Sequence, residues 1–298
     1  PTYYTAQWND DVHHVLHTAA TGECAGYYAD YCGDDCKLGR ALAEGFAFQG
    51  EHMPFRGSPR GEPSAHLPPQ AFVAFIQNHD QIGNRACGER LTEIAPVQAL
   101  RAIAAVYLLL PQIPLLFMGE EWAASQPFPF FCDFHGELAR AVSEGRRAEF
   151  ARFPEFADPA SRERIPDPQA PATFASAKLD WGDVERAPHA GWLTWYRDIL
   201  AARRAHIVPR VARISGGAAS YDVIGPLAVR VRWRVGDREE LVLHANLCHT
   251  AVHEVPPPRG RVLWMEGADL AAWEGDRTLP EWAVVWTAGE IEAACRPR

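Results

Sequence analysis

The sequence predicts an α/β fold followed by a small antiparallel β-domain, and three observations carry that reading. Strand-length apolar runs each end in a polar cluster. Helical patterns lie between those runs. Over the last third of the chain the hydrophobic period changes to two. The change places a boundary near Pro209, giving an α/β region over 1–209 and a β-region over 210–298.

The three apolar runs are Tyr3 to Trp8, Phe72 to Ile76 and Ile113 to Met118. None alternates with polar residues, as expected of strands buried on both faces of a parallel sheet. Each runs at once into polar residues: Asn9-Asp10, Asn78-His79-Asp80 and Glu120-Glu121. In parallel α/β folds functional groups gather where strands end at their carboxyl side. Helices are predicted over Leu38 to Phe48 and from Pro96 through Leu100, Ile103, Ala104 and Tyr107, with Pro111 as the stop. Residues 123 to 190 are rich in Pro, Phe and charge, with one helix predicted over Leu138 to Phe150. An amphipathic helix then spans Trp192 to Arg204.

Beyond it, Leu227, Val229, Val231, Trp233 and Val235 alternate with Arg230, Arg232 and Arg234, the pattern of a half-buried antiparallel strand. Gly236-Asp237 turns into a second strand near Leu241 to Leu247. Val262 to Met265 and Trp282 to Trp286 supply two more, and a small β-sandwich is the expected arrangement.

Composition narrows the function. The 298 residues are 47% hydrophobic and 22% charged, ordinary for a globular protein. A formal net charge of -9 argues against nucleic acid, which needs a basic face. The arginine pairs Arg146-Arg147 and Arg203-Arg204 read as solvated helix surface. The longest apolar stretch, around Ala102 to Leu110, is too short to cross a bilayer, so no membrane partner is expected. Seven cysteines, from Cys24 to Cys295, do not form a recognisable disulfide framework, and reduced thiols in a cytoplasmic protein are the simplest expectation. His13 and His17 stand four apart, but no Glu lies between them where a zincin helix requires it. Cys24, Cys32 and Cys36 match no common closed site, so no metal is expected.

The sharpest signal is Gln77-Asn78-His79-Asp80-Gln81-Ile82-Gly83-Asn84-Arg85 directly after a buried run. Polar residues ending such a strand need a reason, because unpaired polar groups are costly there. An Asp beside a His suits a site that binds hydroxyls and opposes developing positive charge. A structural loop, with Asn78 and Asp80 capping turns, is the alternative. Glu120 and Glu121, as neighbours on an extended segment, should point opposite ways and not act on one bond.

In order, Ala6 to His14 (AQWNDDVHH), Phe75 to Arg85 (FIQNHDQIGNR) and Ile113 to Trp122 (IPLLFMGEEW) resemble the sixth, seventh and eighth strand ends of the α-amylase superfamily. EGRRAEF, IPDP and LDW, at 144–150, 165–168 and 179–181, fit the same family, and the details are similar to its maltooligosyltrehalose trehalohydrolases. The resemblance implies the carboxyl-terminal part of a (β/α)8 TIM barrel followed by a β-sandwich. It implies retaining hydrolysis of the α-1,4 bond between a maltooligosaccharide and a terminal trehalose, without a cofactor. Asp80 takes the role of the carboxylate that stabilises the transition state. His79 takes that of a hydroxyl-binding residue beside the cleaved bond. Asn78, Gln81, Asn9, Asp10 and Glu121 follow as substrate contacts. Trp8 and Trp122 are candidate sugar platforms, with packing as the alternative for each.

The sequence departs from the family at Val12, where a Phe is more usual, and, with more consequence, in its catalytic carboxylates. A retaining glycosidase also needs a carboxylate nucleophile and a carboxylic acid, roughly 5–5.5 Å apart. In this superfamily both precede the sixth strand, and no Gly-Phe-Arg-x-Asp segment is present. A (β/α)8 barrel takes about 250 residues, whereas only about 205 precede the β-region. The expectation is therefore a fragment, inactive alone. The rivals are another α-glucan enzyme, branching or debranching, and a catalytically silent glucan-binding protein.

Overall fold

A computed structural model describes residues 4–151 and 153–291. Tyr3, the expected start of the first strand, and Cys295 lie outside the described residues. The principal elements in chain order are β1 (Gln7–Trp8), α1 (Asp10–Thr21), α2 (Asp35–Glu44), β2 (Phe72–Ala74), α3 (His79–Gly83), α4 (Val97–Leu109) and β3 (Ile113–Pro114). They continue with α5 (Gly136–Phe150), α6 (His189–Ala202), β4 (Ala219–Gly225), β5 (Ala228–Val235) and β6 (Glu239–Asn246), then β7 (Arg261–Glu266), α7 (Leu270–Asp276) and β8 (Val284–Glu290). The chain falls into two compact units. One holds Pro1–Ile76, Ala95–Leu115 and Arg197–Arg298; the other holds Gln77–Ile94 and Leu116–Tyr196.

In the first unit, β1, β2 and β3 form a parallel sheet in that order, with Gln7 opposite Phe72 and Val73 opposite Ile113. All three apolar runs thus contribute strands, though shorter than the runs themselves. α4 is buried almost all round, from Ala99 to Leu109, which explains its lack of a polar stripe. Where α4 ends, the Leu108 and Leu110 carbonyls, with that of Gln112, accept bonds from the Arg203 guanidinium at 2.6, 2.7 and 2.6 Å. Burial pulls the pKa of Arg203 down to about 10. Arg203 is therefore not solvated helix surface; only Arg204 of that pair is exposed.

The five remaining strands make one antiparallel sheet, ordered β4-β5-β6-β8-β7. Val229, Val231, Trp233 and Val235 point inward in β5, while Arg230 and Arg232 meet Asp222 of β4 at 2.9 and 3.0 Å. α2 packs against β4 and β5, and α4 against β6, β7 and β8. Gly39 of α2 makes room for the Tyr221 ring, since a Cβ there would lie 2.1 Å from Tyr221 Cδ2. Trp286 stacks on Trp233 at 5.5 Å and donates to the Ala105 carbonyl of α4 at 3.1 Å. A second apolar cluster, Val255, Trp273, Leu279, Ala283 and Val285, holds α7 to this region. The expected sandwich is corrected accordingly. Among the described residues the C-terminal strands form a single sheet, because helices of the same unit supply the cover that a second sheet would otherwise provide.

The expectation of uniformly reduced thiols is also corrected. Cys24 and Cys32 are joined as a disulfide across the loop that leaves α1, which leaves Cys36, Cys87, Cys132 and Cys248 as free thiols among the described residues. Their spacing of eight hid the pair, because spacing alone does not give connectivity. Among the described residues no helix is long and apolar enough to cross a membrane.

Two buried histidines of the first unit are held neutral. Burial, helped by Arg60 and His17, lowers the pKa of His14 to about 3, and burial beside Arg230 and Arg232 lowers that of His244 to about 4. Both lie below the value of about 6.5 for an unfolded chain. Their contribution to stability is therefore complete above pH 6.5 and is lost as pH falls toward 4. We predict that each histidine steepens the loss of unfolding free energy by up to about 1.4 kcal/mol per pH unit in that window. Urea titrations at several pH values measure it, and a His14→Phe variant should lose its share of the slope.

Candidate active site

The residues singled out from the sequence fall in both units, and each unit presents its own set. In the second unit the chain enters α3 at Asn78, which is almost fully buried and extended in backbone. Its Oδ1 accepts the backbone N–H of Asp80 at 2.8 Å and of Gln81 at 3.1 Å, the bonding of a helix N-cap. With that cap made, His79 and Asp80 stand in solvent. Their side chains are 57% and 62% exposed, with His79 Nε2 3.4 Å from Asp80 Oδ1. Gln81 is half-buried. An exposed carboxylate beside an imidazole can accept hydroxyl protons and face a cationic centre; a buried, satisfied one could not.

Gln77, the residue before the cap, belongs to a buried polar network. Gln77 Nε2 donates to Glu120 Oε2 at 3.2 Å, and the Tyr196 hydroxyl donates to Glu120 Oε1 at 3.1 Å. Arg90, 1% exposed, donates to the carbonyls of Gln126 and Met118 at 2.6 and 2.9 Å. Burial lowers the Arg90 pKa, against which the Glu120 and Glu121 charges raise it. Glu120 is thus committed to the interior, whereas Glu121 is half-exposed. The two do point apart, but on a 3₁₀ turn, Glu120–Trp122, and not on the extended segment expected from the sequence. Trp122 is buried, with its ring 4.9 Å from that of Trp181, so packing accounts for it.

α5 secures the far end of α3. Arg146 Nη2 donates to the carbonyls of Gly83 and Arg85, both at 2.6 Å, with its guanidinium 4.7 Å from the Phe150 ring centroid. Arg146 is buried and Arg147 exposed, so this pair too is corrected from solvated surface. Ser143 of the same helix donates to Asp167 Oδ1 at 2.7 Å, which fastens the IPDP segment.

In the first unit, Trp8 ends β1 with its indole 41% exposed and edge-on to Phe75. Asn9 has no exposed surface. Its Oδ1 caps α1 at Val12 N–H, 3.2 Å, and its Nδ2 donates to the Gly45 carbonyl at 2.6 Å and to Gln112 Oε1 at 3.0 Å. Asp10 follows, half-buried, in the first turn of the helix. Sequence reasoning missed its neighbour Asp11. That buried carboxylate accepts from the Tyr31 hydroxyl at 2.6 Å and from Ala47 and Phe48 N–H at 2.8 and 3.1 Å, with Arg60 Nη2 at 3.0 Å. Burial and Asp11 together push the Tyr31 hydroxyl far above its ordinary range. The histidines weighed as ligands are otherwise engaged. His13 Nδ1 lies 2.7 Å from the Ile76 carbonyl, and His17 Nε2 lies 2.7 Å from Glu23. Among the described residues no cluster of three or more His, Cys, Asp or Glu side chains could hold a metal ion.

Similarity to known proteins covers nearly the whole chain. It is 45% identical over 237 residues to a malto-oligosyltrehalose trehalohydrolase of Arthrobacter ramosus and 40% identical over 283 residues to that of Deinococcus radiodurans. Over this length the chain resembles the malto-oligosyltrehalose trehalohydrolases. These matches take in 78% and 91% of the chain but 40% and 46% of the two trehalohydrolases, so the chain spans less than half the length of those relatives. Residues 216–286 match a family described as a domain of unknown function, DUF3459. A crystal structure of a provisionally named alpha amylase from Salmonella typhimurium superposes with a TM-score of 0.87 at 41% identity, over 96% of this chain and 47% of the other. A pullulanase from Paenibacillus barengoltzii, in complex with maltohexaose and alpha-cyclodextrin, shares the fold at a TM-score of 0.53 and 16% identity, over 96% of this chain and 39% of its own.

Capping and exposure separate two kinds of residue here. An Asn78→Ala variant should lose about 1 kcal/mol of stability with the cap, whereas Asp80→Ala, at a solvent-facing position, should change stability by no more than about 0.5 kcal/mol. Denaturant unfolding of both variants beside the parent chain checks the contrast.

Proposed function

We propose that this chain provides the carboxyl-terminal part of the glucan cleft of a glycoside hydrolase that releases trehalose from maltooligosyltrehalose. The observation that carries the reading is the His79-Asp80 pair. It is solvent-facing, held by a buried cap, and set in a sequence 40–45% identical to trehalohydrolases. In this reading residues 1–209 belong to a (β/α)8 barrel and 210–298 to its C-terminal β-domain. The three parallel strands in sequence order support the first assignment and the DUF3459 match the second.

Asp80 opposes the positive charge that develops on the sugar ring as the α-1,4 bond lengthens, and accepts bonds from its hydroxyls. His79, beside it, holds a neighbouring hydroxyl. Glu121 and Gln81 contact substrate at the rim. Within the first unit, the exposed indole of Trp8 has the apolar face that packs on sugar rings. Asn78, Asn9 and Asp10 act through the caps and first turns that orient these groups. The nucleophile and the acid of the retaining reaction are not matched by any segment of this sequence. The 298-residue chain by itself is therefore expected to bind the substrate without cleaving it, and no cofactor enters the chemistry. A binding role without catalysis is the second reading, favoured by Asp80 being the one matched carboxylate of the three.

Trehalose release from maltooligosyltrehalose is the test, with the 298-residue chain and its Asp80→Ala variant side by side. We expect no release from either, and binding at least tenfold weaker in the variant, about 1.4 kcal/mol. Release by the parent chain that the variant abolishes would mean that the chain supplies its own catalytic pair. A branched product would move the assignment to a branching enzyme.

A further inference from the structure

The LDW segment is not used by the site described above, yet its tryptophan is the most exposed large aromatic of the second unit. Trp181 is 69% exposed, while the residues around it are firmly held. Leu179 packs against Gly119, whose φ is +82; a Cβ there would come within 2.9 Å of Leu179 Cδ2. Asp180 caps the turn that follows by accepting the Gly182 N–H at 2.8 Å. The Trp181 ring then rests on Trp122, centroid to centroid 4.9 Å at 45°. Trp122 is fixed in turn by His189, whose Nδ1 lies 2.8 Å from its carbonyl oxygen. One indole thus leans at a tilt on a second, buried indole, and most of its surface is left to solvent.

Hydrogen-bonding groups border it. Asp183 sits between Gln126 Nε2 at 3.3 Å and Arg186 Nη1 at 3.3 Å, and the Arg186 side chain is 71% exposed. Gln126 Oε1 is buried and has no hydrogen-bond partner among the described residues. A sugar ring has matching chemistry: a C–H face that packs on an aromatic plane, and hydroxyls around its edge that need donors and acceptors. A peptide side chain would use the plane but not the ring of polar groups. A phosphate would use Arg186 but be repelled by Asp183.

We propose that Trp181 is a platform for a glucosyl ring of an α-glucan chain, with Asp183, Arg186 and Gln126 bonding its hydroxyls. The platform rests on the glucan-binding reading given above and adds a contact that none of the residues assigned there provides. Trp122, against which the platform rests, directly follows Glu121 on the Glu120–Trp122 turn.

Isothermal titration of the 298-residue chain with maltotetraose tests it, using Trp181→Ala and Trp181→Phe. The alanine variant should bind about tenfold more weakly and the phenylalanine variant within about threefold of the parent, with unchanged unfolding midpoints because the ring is exposed. If the parent binds maltotetraose and the alanine variant binds it equally well, the platform is wrong while the glucan reading survives. If the parent does not bind maltotetraose at all, both fall together.

Discussion

Backbone carbonyls that leave regular structure inside a protein must be paired, and in this chain buried guanidinium groups pair them. Arg203 takes three carbonyls at and beyond the end of α4, Arg90 takes those of Met118 and Gln126, and Arg146 takes those of Gly83 and Arg85. An unpaired buried carbonyl costs on the order of 1–3 kcal/mol, so each of these corners depends on one side chain. Arginine suits the task because its fixed fork of donors can reach two or three oxygens that no single helix or strand ladder could align. Carbonyl oxygens are the hydrogen-bond partners of each guanidinium, while Arg90 also feels the charge of buried Glu120 and Arg146 lies 3.7 Å from Glu149. The depressed pKa values of Arg90, Arg146 and Arg203, burial being the first cause in each, reflect that arrangement.

The same division of labour runs through the candidate site. Groups that look catalytic by type are often structural. Asn9, Asn78, Asp11 and Glu120 hydrogen-bond backbone groups or other side chains of the interior. Groups left to solvent are few: His79, Asp80, part of Glu121, and the aromatic faces of Trp8 and Trp181. Rigid support beneath exposed chemistry is what preorganisation requires, because a side chain fixed from below loses little freedom when substrate arrives.

How much of this was legible in the sequence follows from the range of each signal. Periodicity is local, so α4, α5, α6 and the strands from β5 to β8 emerged within a few residues of their bounds. Strand β4 was not foreseen: Ala219 to Gly225 mixes small, polar and apolar residues, and it is a strand because β5 pairs with it and α2 covers it. The NHD motif marked the polar end of the second strand and a capping role for Asn78, but not the short helix α3 that Asn78 caps. The roles of Arg146 and Arg203 were not legible, since each stands beside a second arginine that does face solvent and their partners lie 61 to 95 residues away. The Cys24–Cys32 bond escaped for a different reason: at a separation of eight, pairing is a fact of the loop's path and not of spacing. Exposure of Trp181 likewise depends on what Trp122 leaves uncovered.

One feature of the five-stranded sheet bears on how the protein behaves in company. Its edge strand β7 departs from regular pairing where Trp286 and Thr287 of β8 oppose it across a register shift, and Glu266 at its end is drawn to Arg101 at 2.6 Å. A bulged strand with a charged residue at each end, Arg261 and Glu266, presents a poor template for another chain's backbone. The irregularity that makes β7 look like an imperfect strand is therefore a barrier to edge-to-edge polymerisation along that side of the sheet.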